Sequence, residues 1–331
     1  MLNKNGFTCI FILLFQFASA QKVEILSSGT KASFRGLSVP NDSTIWVSGS
    51  NGTVGKSTNG GKNWQWQQVP GFEKTDFRDI EARDSNTAII MGIAEPAYIL
   101  RTVNGGKKWD IVYKNETKGM FLDAMDFYDS NNGMVVGDPI IGKIFLATTA
   151  DGGKTWQEVP EANRPAADSG EACFASSGTN ICMTDKNTYM LITGGLQSNL
   201  LVNGKIKRAL PILKGKESTG ANSLAVHKKI ILIVGGDFMQ KDSMAGNFIF
   251  SKNNGKKWKA SKQPPGGYRS CIAFIAPKTW LTCGLNGVDI TRNNGKDFQK
   301  ISHESFHVIK KSKKGNAVFL AGEKGKVAVF N

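Results

Sequence analysis

An all-β propeller of seven blades is the fold class this sequence predicts. Three observations predict it: a recurring turn motif at near-constant spacing, sets of short strands between its copies, and a spare strand at the N-terminal end. The motif reads STNGGKNW at 57–64, RTVNGGKKW at 101–109, TTADGGKTW at 148–156, SKNNGKKW at 251–258 and TRNNGKDF at 291–298. Trp64 and Trp109 stand 45 residues apart, Trp109 and Trp156 47, Trp156 and Trp258 102, and Trp258 and Phe298 40. The long interval holds two periods, with a degenerate copy at Asn203-Gly204-Lys205. A period of ~40–50 residues is the mark of a protein built blade by blade.

Each period reads as four strands in which β-branched and aromatic residues alternate with polar ones between Gly, Asn and Asp clusters. In the first period these are FRGLSV, STIWVSGS, TVGKST and NWQWQQV. Further inner strands are expected to start at Phe77 (FRDIEA), Phe121 (FLDAMDF), Gly170 (GEACFAS), Ala221 (ANSLAV), Tyr268 (YRSCIAF) and Phe306 (FHVIKK). The seventh set has only FHVIKK, AVFLAG and KVAVF before the chain ends at Asn331, while KVEILSS at 22–28 precedes the first set. Pairing this spare strand with KVAVF closes the ring and removes two exposed edges. One domain over 21–331 is the expected organisation.

The recurring motif is a turn between the third and fourth strands. Its Asp or Asn, at Asn59, Asn104, Asp151, Asn253 and Asn293, accepts local backbone bonds. Gly supplies positive φ, and Trp64, Trp109, Trp156 and Trp258 pack back between blades. A carboxylate replaceable by an amide in four copies of five is structural, with no part in catalysis.

These segments resemble the Asp-box, or BNR, repeat (Ser-x-Asp-x-Gly-x-Thr-Trp). Thr149-Ala150-Asp151-Gly152-Gly153-Lys154-Thr155-Trp156 matches it with Thr for Ser. The segments FLDAMDFYDSNNGMVVGDP, GEACFASSGT and GYRSCIAF, with CGLNGVDIT, make the layout similar to the photosystem II stability/assembly-factor-like group of exported propellers, and more distantly to sialidases. The first resemblance implies a binding or assembly scaffold. The second implies an alternative, an exo-glycosidase acting on an anionic sugar through an Arg triad. Sialidases have six blades, however, and their Tyr–Glu pair has no match here residue by residue.

The first 20 residues carry Lys4, an apolar run and Ala18-Ser19-Ala20, which reads as a signal peptide cleaved before Gln21, so a secreted or periplasmic location is expected. No other stretch is long and apolar enough to span a bilayer as a helix. The net charge of +15 comes without a nucleic-acid motif, which points to a basic solvated surface rather than nucleic acid as partner. A monomer with a protein partner or an anionic glycan as ligand is expected. Neither a dinucleotide-binding glycine fingerprint nor metal-ligand spacing occurs, so no cofactor and no metal is expected. Four cysteines remain after cleavage. Export and hairpin spacing predict disulfides Cys173–Cys182 and Cys271–Cys283.

Aligning the seven inner strands on their first residue puts Arg35, Arg78, Leu122, Glu171, Asn222, Arg269 and His307 at the second position. Two residues on come Leu37, Ile80, Ala124, Cys173, Leu224, Cys271 and Ile309. These positions share a strand face. The polar row is expected at the mouth of a central channel and the apolar row against neighbouring blades. Arg35, Arg78 and Arg269, with Asn222 and His307, are therefore the candidate ligand-binding residues, since converging guanidinium groups grip carboxylate, sulfate or phosphate. Were the site catalytic, Tyr268 or Glu171 would be the nucleophile and Asp123 or Asp138 the acid.

Overall fold

A computed structural model describes residues 22–27 and 29–331. The expected signal peptide lies outside the described residues. Seven antiparallel sheets form a ring of blades. Their inner strands are Phe34–Ser38, Phe77–Ala82, Leu122–Phe127, Ile181–Asp185, Thr219–His227, Cys271–Ala276 and Val308–Lys311. Apolar clusters fill the seams between adjacent blades: Trp46 and Ile80 between the first and second, Ala124 and Leu191 between the third and fourth, Leu232 and Trp280 between the fifth and sixth. The expected closure is present. Val23–Ser27 pairs antiparallel with Val327–Phe330, Val23 opposite Phe330, and completes blade seven. Blade five keeps three strands, and a single bridge from Phe250 to Lys259 stands for its fourth.

The recurring turns take the expected place. In blade three Asp151 Oδ1 accepts from the amides of Lys154 and Thr155, both at 3.0 Å, and from Thr149 Oγ1 at 2.9 Å. Asn59, Asn104, Asn253 and Asn293 accept the matching amides of Asn63, Lys108, Lys257 and Lys296 at 2.9–3.0 Å. Trp156 is buried in the seam between blades two and three. Trp64, Trp109 and Trp258 pack against the seams of their own blades.

A propeller's inner strands have one edge that no strand of the same sheet covers, so their amides need partners. Here each blade is served by its neighbour. Ser38 Oγ accepts from the Ala82 amide (2.9 Å), Asp79 Oδ2 from Met125 (2.7 Å), Asp126 Oδ2 from Met183 (2.6 Å) and Ser223 Oγ from Ile272 (3.0 Å). Cys271 Sγ accepts from Ile309 at 3.3 Å. Backbone bonds Leu224 N to Thr179 O and Lys313 N to Val39 O, both 2.9 Å, complete the circle. Burial drives the Asp79 carboxyl up to about 7, against the pull of Lys310 and the two amides it caps.

The inner strands also share a one-residue register shift near their start. Phe34, Phe77, Leu122 and Ala221 pair with Gly49, Gly92, Gly137 and Gly235, and the next residue of each inner strand is extra. Those extra residues are Arg35, Arg78, Asp123 and Asn222. In blades six and seven Ser270 N and His307 N bond Cys283 O and Ala321 O, carbonyls opposite the following residue. A bulge of this kind re-aims a side chain, and here it aims one residue at the channel mouth from each blade except the fourth.

Two expected positions change for this reason. In blade three Asp123 takes the mouth position and Leu122 is buried in the seam. In blade six Ser270 takes it, and Arg269 turns into the blade. There Arg269 is fully buried, donates Nε to Asp289 Oδ2 at 2.7 Å and Nη1 to Asn286 Oδ1 at 2.5 Å, and does not join the other two arginines.

Blade four differs most. Its inner strand is Ile181–Asp185, and GEACFAS is not that strand. Glu171–Ala172 pairs with Gly194–Gly195, and the chain from 173 to 180 then crosses the channel. It is held from several sides: Ser176 Oγ donates to Asn222 Oδ1 (3.1 Å), Ser177 Oγ to Ser270 O (2.7 Å) and Thr179 Oγ1 to Ser223 Oγ (2.7 Å). Gly178 has φ +62°, and a Cβ there would lie 2.3 Å from Asp79 Oδ2, so no other residue passes at this point.

The four cysteines among the described residues are free thiols. Cys173 packs in the seam of blades three and four, whereas Cys182 faces Met190 within blade four. The crossing segment separates them, and the expected Cys173–Cys182 bridge is absent. Cys271 and Cys283 do stand directly opposite each other. They are unbridged, with Cys271 Sγ engaged by the Ile309 amide.

Four outcomes follow. Deleting residues 22–27 is expected to expose the edge of Val327–Phe330 and to lower the melting temperature sharply or cause aggregation; an unchanged melt would show that the strand does not close the ring. Arg269→Ala leaves Asp289 buried without its partner and is expected to cost ~3–5 kcal/mol in denaturant unfolding. Arg78→Ala, whose partner Asp76 is partly exposed, is expected to cost no more than ~1 kcal/mol. Non-reducing peptide mapping is expected to recover Cys173 and Cys182 in separate, unlinked peptides.

Candidate functional site

The bulge residues Arg35, Arg78, Asp123, Asn222, Ser270 and His307 all line one cavity of about 390 Å³ at the channel mouth. The seventh place in that ring is taken by the crossing segment, through Cys173 to Ser176. This segment forms the cavity's floor, so the mouth is a blind pocket. Phe121, Phe174, Phe238 and Tyr268 supply its apolar walls; Phe238 stacks edge-on to both Phe174 and Tyr268, with ring centroids 5.9 and 6.3 Å away.

The charges in this pocket are set by its depth. Burial lowers the pKa of Arg35, and the nearby Arg78 lowers it further, yet a guanidinium keeps its proton at any ordinary pH. Arg35 Nη1 has one long bond, 3.4 Å to Ser176 O, and Arg78 Nε donates to Asp76 Oδ2 at 2.8 Å. Burial, then Arg35 and Arg78, push His307 down to about 3, so its ring is neutral at physiological pH. Its Nε2 lies 3.3 Å from Ser33 Oγ. Burial raises the Tyr268 hydroxyl to about 12, and it donates to Asn222 Oδ1 at 2.8 Å. Burial also raises the carboxyls of Asp123 and Asp138, that of Asp123 well above its usual range.

Glu171 lies elsewhere. Its buried carboxylate accepts from Lys207 Nζ at 2.7 Å, Asn199 Nδ2 at 2.9 Å and the Asp168 amide at 2.7 Å, and it also bonds Thr193 Oγ1. It anchors the entrance of the crossing segment and does not line the pocket. Of the residues expected at the mouth, Arg35, Arg78, Asn222, His307, Asp123, Asp138 and Tyr268 therefore meet, while Arg269 and Glu171 do not. Ser270, Ser176 and the thiol of Cys173 join them unforeseen. One signal identifies Ser270: in blades one, two, three and five a second-strand glycine pairs with the residue before the mouth residue, and Gly284 holds that place in blade six. Nothing in the sequence marks the crossing segment.

The family model described as "Photosynthesis system II assembly factor YCF48" matches residues 65–175. No curated protein sequence matches the chain. Among solved structures, YCF48 from Cyanidioschyzon merolae superposes with a TM-score of 0.69 at 16% identity, covering 94% of this chain and 99% of that one. A structure described as YCF48 bound to D1 peptide superposes with a TM-score of 0.67, also at 16% identity, over 94% of both chains. The WD40 propeller domain of Doa1 superposes at 0.64 with 12% identity, over 93% of this chain and 97% of that one. At such identities the superpositions establish a common fold, and the family match spans the outer strand of blade one together with blades two and three. The chain is thus a seven-bladed Asp-box propeller that resembles the photosystem II assembly-factor propellers.

Proposed function

We propose that this protein is an exported binding or assembly scaffold that holds an acidic segment of a protein partner at the channel mouth, with Arg35 and Arg78 gripping a carboxylate. The observation that carries this reading is the pair of guanidinium groups in a blind, apolar-walled pocket. A carboxylate entering there gains charge-assisted bonds in surroundings that screen them little. The related propeller seen with D1 peptide supports a peptide as the class of partner.

A protein partner suits the surrounding surface better than a glycan does. Ile141, Leu196, Phe238, Met239 and Met244 are large apolar side chains exposed by 37–85%. All five stand in connections between second and third strands, on the face that carries the mouth. Apolar side chains gathered around a polar pocket are the composition of a protein-binding face. Sugar recognition would call for planar hydrogen-bonding groups at that rim instead.

The reading is tested with immobilised peptides of one sequence series, each made with a free C-terminal carboxylate, an internal Asp or Glu, or an amidated neutral form. Acidic peptides are expected to bind, and Arg35→Ala/Arg78→Ala to weaken them at least tenfold while the far-ultraviolet circular dichroism is unchanged. His307 is expected to add no pH dependence between pH 5 and 8, because its ring is neutral throughout that range. Equal binding of acidic and neutral peptides, or full affinity in the double variant, would overturn it.

A further inference from the structure

One carboxylate in the pocket is poorly paired, with only a marginal contact from the Ala175 amide and the charge of Arg78 to offset its burial. Asp123 is fully buried, and neither of its oxygens accepts a well-formed hydrogen bond. An ionised carboxylate held that way costs several kcal/mol, so a buried acid is ordinarily paired, protonated or bound to a cation. The charge of Arg78 favours its ionised form, but neither arginine bonds it: Arg78 Nε is turned to Asp76, and Arg35 Nη1 to Ser176 O.

What Asp123 does face is two further donors. One ligand atom each from Asp123, Asp138 and Cys173 lies within 4.8 Å of the others. The three come from different parts of the chain. Asp123 is the extra residue of the inner strand of blade three, Asp138 the extra residue of its second strand, between Gly137 and Pro139 of the register, and Cys173 begins the crossing segment. Asp138 Oδ1 accepts the Cys173 amide at 2.8 Å, which ties the second donor to the third. Both bulges lie on a well-packed sheet, so two of the three donors are fixed before anything binds.

We infer that Asp123, Asp138 and Cys173 form a site for a single divalent transition-metal ion of the zinc class at the side of the mouth pocket. Two carboxylates and one thiolate make a mixed O/O/S donor set. The sulfur argues against Mg²⁺ and Ca²⁺, which take oxygen donors alone, and favours Zn²⁺ or Co²⁺. Bond lengths of ~2.0–2.2 Å to oxygen and ~2.3 Å to sulfur require the donors to draw in by about 1 Å from their widest spacing, within reach of side-chain rotation. Three protein ligands leave a fourth position open, and it faces the cavity shared with Arg35 and Arg78. A thiol must lose its proton to become a thiolate ligand, so binding weakens as pH falls. The site holds whether or not the arginines bind a carboxylate.

The test uses purified, reduced protein freed of metal by a chelator and titrated with Co²⁺. One equivalent is expected to bind and to give the near-ultraviolet sulfur-to-cobalt absorption of a thiolate ligand, which Zn²⁺ then displaces. Cys173→Ser is expected to abolish that absorption. Asp123→Asn, which keeps the shape and removes the charge, is expected to weaken binding at least tenfold. Unchanged circular dichroism in both variants shows that a lost signal is not a lost fold. Excess Zn²⁺ is expected to raise the melting temperature of the parent protein and not of Asp123→Asn. A parent protein that takes up no stoichiometric Co²⁺, or a sulfur absorption that survives in Cys173→Ser, would overturn the assignment.

Discussion

The inner edge of each blade is the constraint on which the rest of this structure depends. Seven strands meet around an axis with no eighth to cover their free amides, and water reaches them poorly. The solution is reciprocal: a hydroxyl, carboxylate, thiol or carbonyl of one blade caps the amide of the next. This circle makes the blades mutually dependent, because removing one acceptor orphans a donor in a neighbouring sheet. It also explains why Asp79 lies buried, and Asp126 half-buried, on a core strand. They are there as acceptors, and burial keeps their pKa high.

The same edge makes the pocket. In every blade but the fourth, a bulge at the start of the inner strand frees one residue from the pairing pattern and turns it to the axis, while the next residues return to the seam. Rigid sheets thus hold the pocket, and the loops contribute mainly its apolar rim. The crossing segment in blade four closes the floor, and Ser176 and Asn222 tie it across the axis. A ring that would otherwise be a tunnel becomes a pocket with one entrance.

The ring itself was legible in the sequence because its signal is repetitive. Glycine, Asp or Asn and Trp at fixed offsets can be counted without knowing any contact, and the spare N-terminal strand followed from that count. The pocket was only partly legible. Arg35 and Arg78 fall in place because Phe34 and Phe77 begin their strands in register. Arg269 does not, since an aromatic at Tyr268 mimics that start one residue early. A bulge shifts the facing of a side chain by one position, and no local propensity marks it. Counting back from Gly284, whose added Cβ would lie 2.1 Å from Tyr268 O, recovers the correct residue. Blade four escaped because GEACFAS has strand-like composition. Its hydrogen bonds go to five different parts of the ring, a long-range fact that composition does not carry. The cluster of Asp123, Asp138 and Cys173 was hidden likewise, its members being far apart in sequence and joined by two bulges and a crossing.

The pairing of Val23–Ser27 with Val327–Phe330 also sets an order in time. The first described strand pairs with the last described one, so it stays unpaired until that partner is made. Six blades can assemble from contacts between near neighbours, but the final seam closes a loop of some three hundred residues. Contacts of such separation form slowly. Through that interval the edge of Val327–Phe330 and the apolar side of the N-terminal strand stand open to other chains, and the interval is when this protein is most exposed to misassembly. Once the two ends meet, opening the ring from either terminus means breaking the same four-residue ladder, so a seam that is slow to form becomes the latch that governs how long the folded state lasts.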